Sequence, residues 1–136
     1  MQGIVLYKIA DPQIIKEVAA LALEYNIPRL VLCNISSQDA LPGIAYCLRL
    51  AGEGLNVLFF QNLQELFSSG IISGEVATLS CSVGERPRRV DWLILGYLDA
   101  LDIERFKIRM FKVGRKLLEV GALAKYLFET HEAGQC

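Results

Sequence analysis

A three-layer α/β domain, with a mainly parallel sheet and helices on both faces, is the fold this chain predicts, and three observations predict it. Short apolar runs alternate with amphipathic segments through most of the 136 residues. The connections between them are brief. Runs such as Arg29 to Cys33, apolar at four of five positions, are also too continuously apolar for a sheet with one wet face. With 53% hydrophobic residues and no internal repeat, low-complexity tract or linker, the chain reads as one domain, 1–136, with apolar surface enough for a single core.

The elements follow in order. Gly3 to Ile9 is a first strand, and it stops at Asp11-Pro12, where Asp11 caps a helix and Pro12 opens it. Ile14, Ile15, Val18, Ala19, Ala22 and Leu23 recur at spacings of three and four and give that helix its buried face. Asn26-Ile27-Pro28 ends it, because the residue before a proline is pushed out of the helical region. Arg29 to Cys33 is the second strand. The polar stretch Asn34 to Asp39 then offers Ser37 or Asp39 as cap for a helix reaching about Ala51, with Gly52-Glu53-Gly54 as its stop.

Val57 to Phe60 is the third strand, and Asn62 caps a short helix through Phe67. Gly70 to Gly74 turns the chain into a fourth strand, Val76 to Cys81, and Ser82 to Arg89 is a loop. Val90 to Gly96 is a buried strand. A short helix with Asp99 and Asp102 at its start follows, then a strand through Met110 and Phe111 that leaves by Gly114 into a long helix beginning near Arg115. Leu117, Val120, Gly121, Ala124, Leu127 and Phe128 form one apolar face of that helix, and Leu118 and Leu123 widen it. An arc that wide needs two partners, the domain's own sheet and a symmetry mate, so a homodimer is expected. The competing arrangement buries the helix wholly within one subunit.

Composition excludes several function classes. No apolar run approaches the ~18 residues of a membrane span, and the first residues lack a signal-peptide pattern, so the expected location is the cytoplasm, with no membrane partner. Cys33, Cys47, Cys81 and Cys136 are far apart, and His131 is the single histidine; buried or inert thiols are expected, with no metal site. The formal charge is −1, but its halves differ: residues 1–83 carry four basic and seven acidic side chains, and 84–136 carry ten and eight. Arg86, Arg88, Arg89, Arg105 and Arg109 belong to the basic clusters. If these meet in space they form a positive patch suited to phosphates; if they alternate with Asp91, Asp99, Asp102 and Glu104 they are a solvated face.

In a parallel sheet ligands bind at the carboxyl ends of strands, which marks the loops after Cys81, Leu95 and Phe111. No Gly-x-Gly-x-x-Gly follows the first strand, and there is no phosphate-binding Gly-x-x-x-x-Gly-Lys-Ser/Thr and no Gly-x-Ser-x-Gly. The paired Asp99 and Asp102 stand where helix capping explains them.

The tail from Lys107 to Phe128, a short strand with a methionine-bearing turn leading into a small-residue-rich helix, resembles the closing motif of the SPOUT class of trefoil-knot methyltransferases. Leu95-Gly96 after an apolar strand is similar to the middle motif, and Leu30 to Ser37 with Gly43 to Ala51 to the first. Within the class the chain resembles a small archaeal branch, some of whose members are labelled RecB-like nuclease. The resemblance implies a C-terminal trefoil knot, S-adenosylmethionine as cofactor, RNA as partner and assembly as a dimer. It implies cofactor-binding positions at Ser80, Cys81, Leu95, Gly96, Tyr97, Met110, Phe111, Val113, Lys116 and Leu117.

Two departures bear on catalysis. Cys47 stands where many RNA-modifying members have a functional arginine, with Arg49 two residues on, and Gly96 is followed by Tyr97 rather than by an acidic residue. Asn34, Arg49 and Asp99 remain the candidate catalytic residues. Three readings stay open: an S-adenosylmethionine-dependent RNA methyltransferase, a knotted ligand- or RNA-binding protein without turnover, and a nuclease. The nuclease is disfavoured, because Glu75 and Asp91 are followed by no Glu-x-Lys that would help hold a metal ion.

Overall fold

Residues 1–80 and 89–112 are described in the computed structural model. Its elements are β1 (Gly3–Tyr7), α1 (Pro12–Glu24), β2 (Arg29–Cys33), a single 3-10 turn (Gln38–Ala40), α2 (Leu41–Ala51), β3 (Asn56–Phe60), α3 (Leu63–Ser68), β4 (Val76–Ser80), β5 (Trp92–Gly96), α4 (Ala100–Arg105) and β6 (Arg109–Lys112). The six strands form one sheet in the order β3-β2-β1-β5-β4-β6, and every described pairing is parallel. Among the described residues no helix is long and apolar enough to cross a membrane. The knot, the helix expected from Arg115 and the dimer seam expected on it lie outside the described residues.

Period-two alternation divides each strand between two cores. Ile4 and Leu6 of β1, with Leu30 and Leu32 of β2, face α1 and α2, where Ile15, Val18, Ala22, Cys47 and Leu50 close over them. Val5 and Tyr7, with Val31 and Cys33, face the opposite layer, where Leu63 and Leu66 of α3 and Ile103 and Phe106 near α4 pack. The predicted three layers are thus present. All five residues of β1 are buried, as the central position of the strand requires. Each fully buried Leu or Ile contributes about 1.5–3 kcal/mol. Trp92 at the start of β5 has its ring against Gly3, where a Cβ would lie 2.4 Å from the indole, so these two positions are matched in size.

Most local signals act as predicted. Asp11 accepts from the Gln13 amide at 2.9 Å with Pro12 opening α1, and Asn62 accepts from the Glu65 amide at 2.7 Å. Three boundaries differ by two residues or more, each for a physical reason. The first strand ends at Tyr7 rather than Ile9 because Lys8 takes φ +57° and turns the chain out of the sheet. Ser37 caps the 3-10 turn through the Asp39 amide at 3.2 Å, so the α-helix proper begins only at Leu41. β5 begins at Trp92, not Val90, because Asp91 is occupied in holding the amino edge of the sheet.

Asp91 is 5% exposed, and its carboxylate accepts from the Glu75 amide at 2.8 Å and from Arg89 Nε at 2.8 Å. Its backbone oxygen accepts from the amides of Gln2 at 2.7 Å and Gly3 at 3.2 Å. A Cβ on Gly74, at φ +83°, would fall 2.1 Å from the carboxylate, so the turn before β4 is glycine by necessity. The Glu75 amide first, and then Arg89, hold the Asp91 carboxyl below its ordinary value of 3.8 against the opposing effect of burial. A depressed carboxyl supplies stability above its unfolded pKa and loses it as pH falls through and below 3.8. Asp91→Ala is therefore expected to lose about 1–3 kcal/mol of unfolding free energy at pH 7. The difference from the native protein should narrow below pH 3.8, as urea titrations at pH 7 and pH 3 would show.

Candidate functional site

β1 lies between β2 and β5. From its end the chain passes to α1 on one face of the sheet, whereas from the end of β5 it passes to α4 on the other. Two neighbouring parallel strands whose continuations part to opposite faces leave a crevice between them at the carboxyl edge, the place where α/β sheets bind ligands. A cavity of about 850 Å³ opens there. Lys8 to Asp11, Gln13, Ile14, Glu17 and Val18 line it from the first loop and α1; Thr78, Leu79, Leu95, Gly96 and Tyr97 line it from β4 and β5.

The apolar wall is Ile9, Ile14, Val18, Leu79 and Leu95, with few polar groups set into it. Gln13 Nε2 donates to Glu17 Oε1 at 3.2 Å, which aligns that carboxylate along the first turns of α1. Thr78 donates its hydroxyl to the Ile94 carbonyl at 2.7 Å. Lys8 holds its ammonium 5.1 Å above the Tyr7 ring, and Tyr97 is 75% exposed at the rim. A second cavity, of about 610 Å³, lies farther along the same edge, at the ends of β2 and β3.

Gly96 has φ +135°, and a Cβ on it would lie 1.8 Å from the Tyr7 carbonyl oxygen. The glycine is needed so that β5 can end against β1, with the Tyr97 amide donating to Tyr7 O at 3.2 Å. Its role is thus first the shape of the crevice.

The residues singled out in the sequence fall in several places. Leu95, Gly96 and Tyr97 line the crevice. Ser80 and Met110 are in β4 and β6, where Ser80 pairs with Lys112 and Thr78 with Met110; Phe111 is in β6, whose described partner in the sheet is β4. Cys81, Val113, Lys116 and Leu117 lie outside the described residues.

The three candidate catalytic residues lie in different places among the described residues. Asn34 ends β2 at φ +54° and lines the second cavity. Arg49 is in the last turn of α2, exposed and 5.3 Å over the Tyr46 ring. Because α2 runs back from the carboxyl edge toward the start of β3, its last turn is at the wrong end. Asp99 caps α4, accepting from the Asp102 amide at 2.8 Å in a reciprocal capping box.

The described arginines are likewise dispersed. Arg89 pairs with Asp91 and Arg109 with Glu75 at 3.1 Å, both at the amino edge; Arg105 donates to Gln64 Oε1. Arg86 and Arg88 lie outside the described residues. Sequence reasoning missed Lys8, Asp11, Gln13, Glu17 and Thr78 as crevice residues. Asp11-Pro12 does mark a strand end, but only the neighbour that β1 acquires in the sheet makes that end a crevice. Among the described residues no group of three or more His, Cys, Asp or Glu side chains gathers as a metal site would need.

No family model and no curated protein matches the chain. Solved structures do. One comes from work on the 2-OH methylation of C/U34 on tRNA, with 21% identity over 91% of each chain and a TM-score of 0.59. A candidate RNA methyltransferase from Bacillus anthracis aligns at 18% identity over 92% of this chain and 88% of that one, TM-score 0.58. An rRNA methyltransferase from Sinorhizobium meliloti aligns at 11% identity over 94% of this chain and 56% of that one, TM-score 0.56. At these identities the likeness establishes a shared fold.

Two tests follow from the site's construction. Gly96→Ala is expected to destabilise the fold by about 2 kcal/mol or more through the clash with Tyr7, visible in thermal melts without any ligand. Burial pushes the Cys33 thiol up to about 11, with Glu65 adding to it, and burial pushes Cys47 to about 11 against its own backbone hydrogen bond. Iodoacetamide at pH 8 should leave both unmodified in the folded protein and label both in urea, as peptide mass mapping would read.

Proposed function

We propose that this chain is an S-adenosylmethionine-dependent methyltransferase acting on RNA, with its methyl donor held in the crevice between the ends of β1, β4 and β5. The observation that carries the reading is this crevice, at the reversal point of a parallel sheet whose fold is shared over nine-tenths of both chains with a structure solved for tRNA methylation. The cavity suits the donor chemically. Its volume is in the range of small-molecule sites, and Ile9, Ile14, Leu79 and Leu95 offer an apolar bed for a nucleoside. The exposed backbone at Gly96 permits close approach, and the carboxylate of Asp11 complements a molecule bearing a sulfonium and an ammonium. The donor, when bound, supplies an electrophilic methyl group.

What remains for the protein is to orient the acceptor and take away its proton. Glu17 is the crevice carboxylate best placed for that task, held by Gln13 and open to solvent on its other side. Lys8 offers a cation for a phosphate of the acceptor strand. Pairing of two copies through the helix expected from Arg115, outside the described residues, belongs to the same reading. A second reading, a binding protein without turnover, is favoured by one observation: Arg49 is at the far edge, and among the described residues Lys8 is the crevice's sole cation.

Calorimetry with S-adenosylmethionine is expected to give micromolar to millimolar binding, and a tritiated donor should label bulk tRNA. Glu17→Gln should keep the heat and lower the transfer rate by roughly 10²–10⁴-fold. Heat without label would favour the binding protein; no heat at millimolar donor would end both forms of the reading.

A further inference from the structure

The second cavity is lined by Leu32, Asn34, Phe59, Phe60, Gln61 and Glu65, among others, and the methyl-donor reading makes no use of it. Its chemistry is distinctive. Phe59 pairs in register with Leu32 on the α2 face, yet is 50% exposed at the edge of the sheet. An aromatic ring left half in water on an edge strand is a platform without an occupant. Around it the side-chain amides of Asn34 and Gln61 make no hydrogen bond among the described residues. Asn34 is half-buried, and its backbone is fixed in the left-handed region, with its N–H donating to Phe60 O at 2.9 Å. Glu65 adds a carboxylate, whose Oε1 accepts from the Gln61 backbone N–H at 3.5 Å, and no cation lines the space among the described residues.

We propose that this cavity is a nucleobase site, which takes an unpaired base of the RNA strand flanking the nucleotide to be modified. A ring face stacks any base, amides read donor and acceptor edges together, and a carboxylate accepts from an exocyclic amino group while repelling phosphate. This composition fits a base and does not fit the sugar-phosphate backbone. Position agrees. The crevice opens between β1 and β5 and this cavity between β2 and β3, two strand spacings apart, or roughly 10 Å. That is within about three nucleotides of a stacked strand. The acceptor is therefore a single-stranded or loop segment, since a base in a duplex presents no free face.

The inference rests on the RNA-methyltransferase reading for its partner, and its test is built so that the two can fail separately. Four fluorescein-labelled homodecamers, of A, C, G and U, are titrated by anisotropy against the full-length protein and against Phe59→Ala, Phe59→Leu and Phe59→Tyr. S-adenosylmethionine calorimetry is run on each. Phe59→Ala and Phe59→Leu should weaken decamer binding about 5- to 150-fold, the loss of one base stack, with donor binding unchanged. Phe59→Tyr should bind as the native protein does, because its ring is kept. Gln61→Ala should level the affinities for the four decamers.

Leucine supporting binding as well as phenylalanine would overturn the site, since apolar bulk alone would then suffice. A native protein that binds none of the four decamers would also overturn it. Decamer binding that depends on Phe59 without any donor heat would instead sink the methyltransferase reading and leave the base site standing.

Discussion

At the end of β5 the backbone of Gly96 comes so near the Tyr7 carbonyl that no side chain fits between them. The rest of the carboxyl edge depends on that approach. It fixes the last rung of the β1 and β5 pairing, and φ +135° at Gly96 then turns the chain toward α4. One strand over, Lys8 at φ +57° turns β1 the other way, toward α1. A lysine in the left-handed region costs roughly 1–2 kcal/mol. The hydrogen bond that the Lys8 backbone N–H donates to Cys33 O at 3.1 Å and the ammonium over Tyr7 help to offset it. Two adjacent chain reversals of opposite sense are what open the crevice, so its existence follows from sheet order and needs no special motif.

The two edges of the sheet are built for different tasks. At the amino edge Asp91 ties the start of β5 to the turn before β4 and to the chain entering β1, through four hydrogen bonds from the backbone and Arg89. At the carboxyl edge the strands end in turns and cavities, with polar side chains facing open space. A parallel sheet tolerates that asymmetry because its two cores are continuous beneath, even though β4 and β5 pair only from Val76 to Thr78 and part toward the carboxyl edge. One cost stays at the tied end. Trp92 Nε1 is buried without a described partner, a penalty of about 1–3 kcal/mol that the burial of its ring must outweigh.

Local chemistry made the elements legible: Asp11-Pro12, Asn62 and Asp99 each cap the helix they were read to cap, and Arg29 to Cys33 is a strand at its predicted bounds. Where Asn34, Arg49 and Asp99 lie relative to one another was not legible. Each sits beside a strand or helix end, but which ends share an edge depends on the direction of α2 and on the order of β1, β2 and β5 in the sheet. Those are long-range facts. The loop after β5 was marked because glycine after an apolar strand is a local sign; the loop after β1 carries Lys8 at a positive φ, which no residue type announces. Phe59 was hidden for a related reason, since only its place on an edge strand leaves a core-like residue in water.

The arginines decide how an RNA would be held. Arg109 pairs with a Glu75 whose side chain is 47% exposed, and Arg105 meets Gln64 at the surface, so either can turn to a phosphate at little loss. Arg89 cannot, because leaving Asp91 would strand a buried carboxylate. Arg89 and Arg109 also lie a full strand length, roughly 17 Å, from the crevice. In the proposed reading, phosphate attraction from Arg89 and Arg109 would therefore act on RNA far from the reacting nucleotide and would grip the acceptor segment itself weakly. Among the described residues the crevice and the second cavity are lined by one lysine, Lys8, by several carboxylates and by the exposed rings of Tyr97 and Phe59. On the proposed function, recognition there would come from stacking and from amide contacts to bases, which in turn favours an acceptor whose bases are already unpaired.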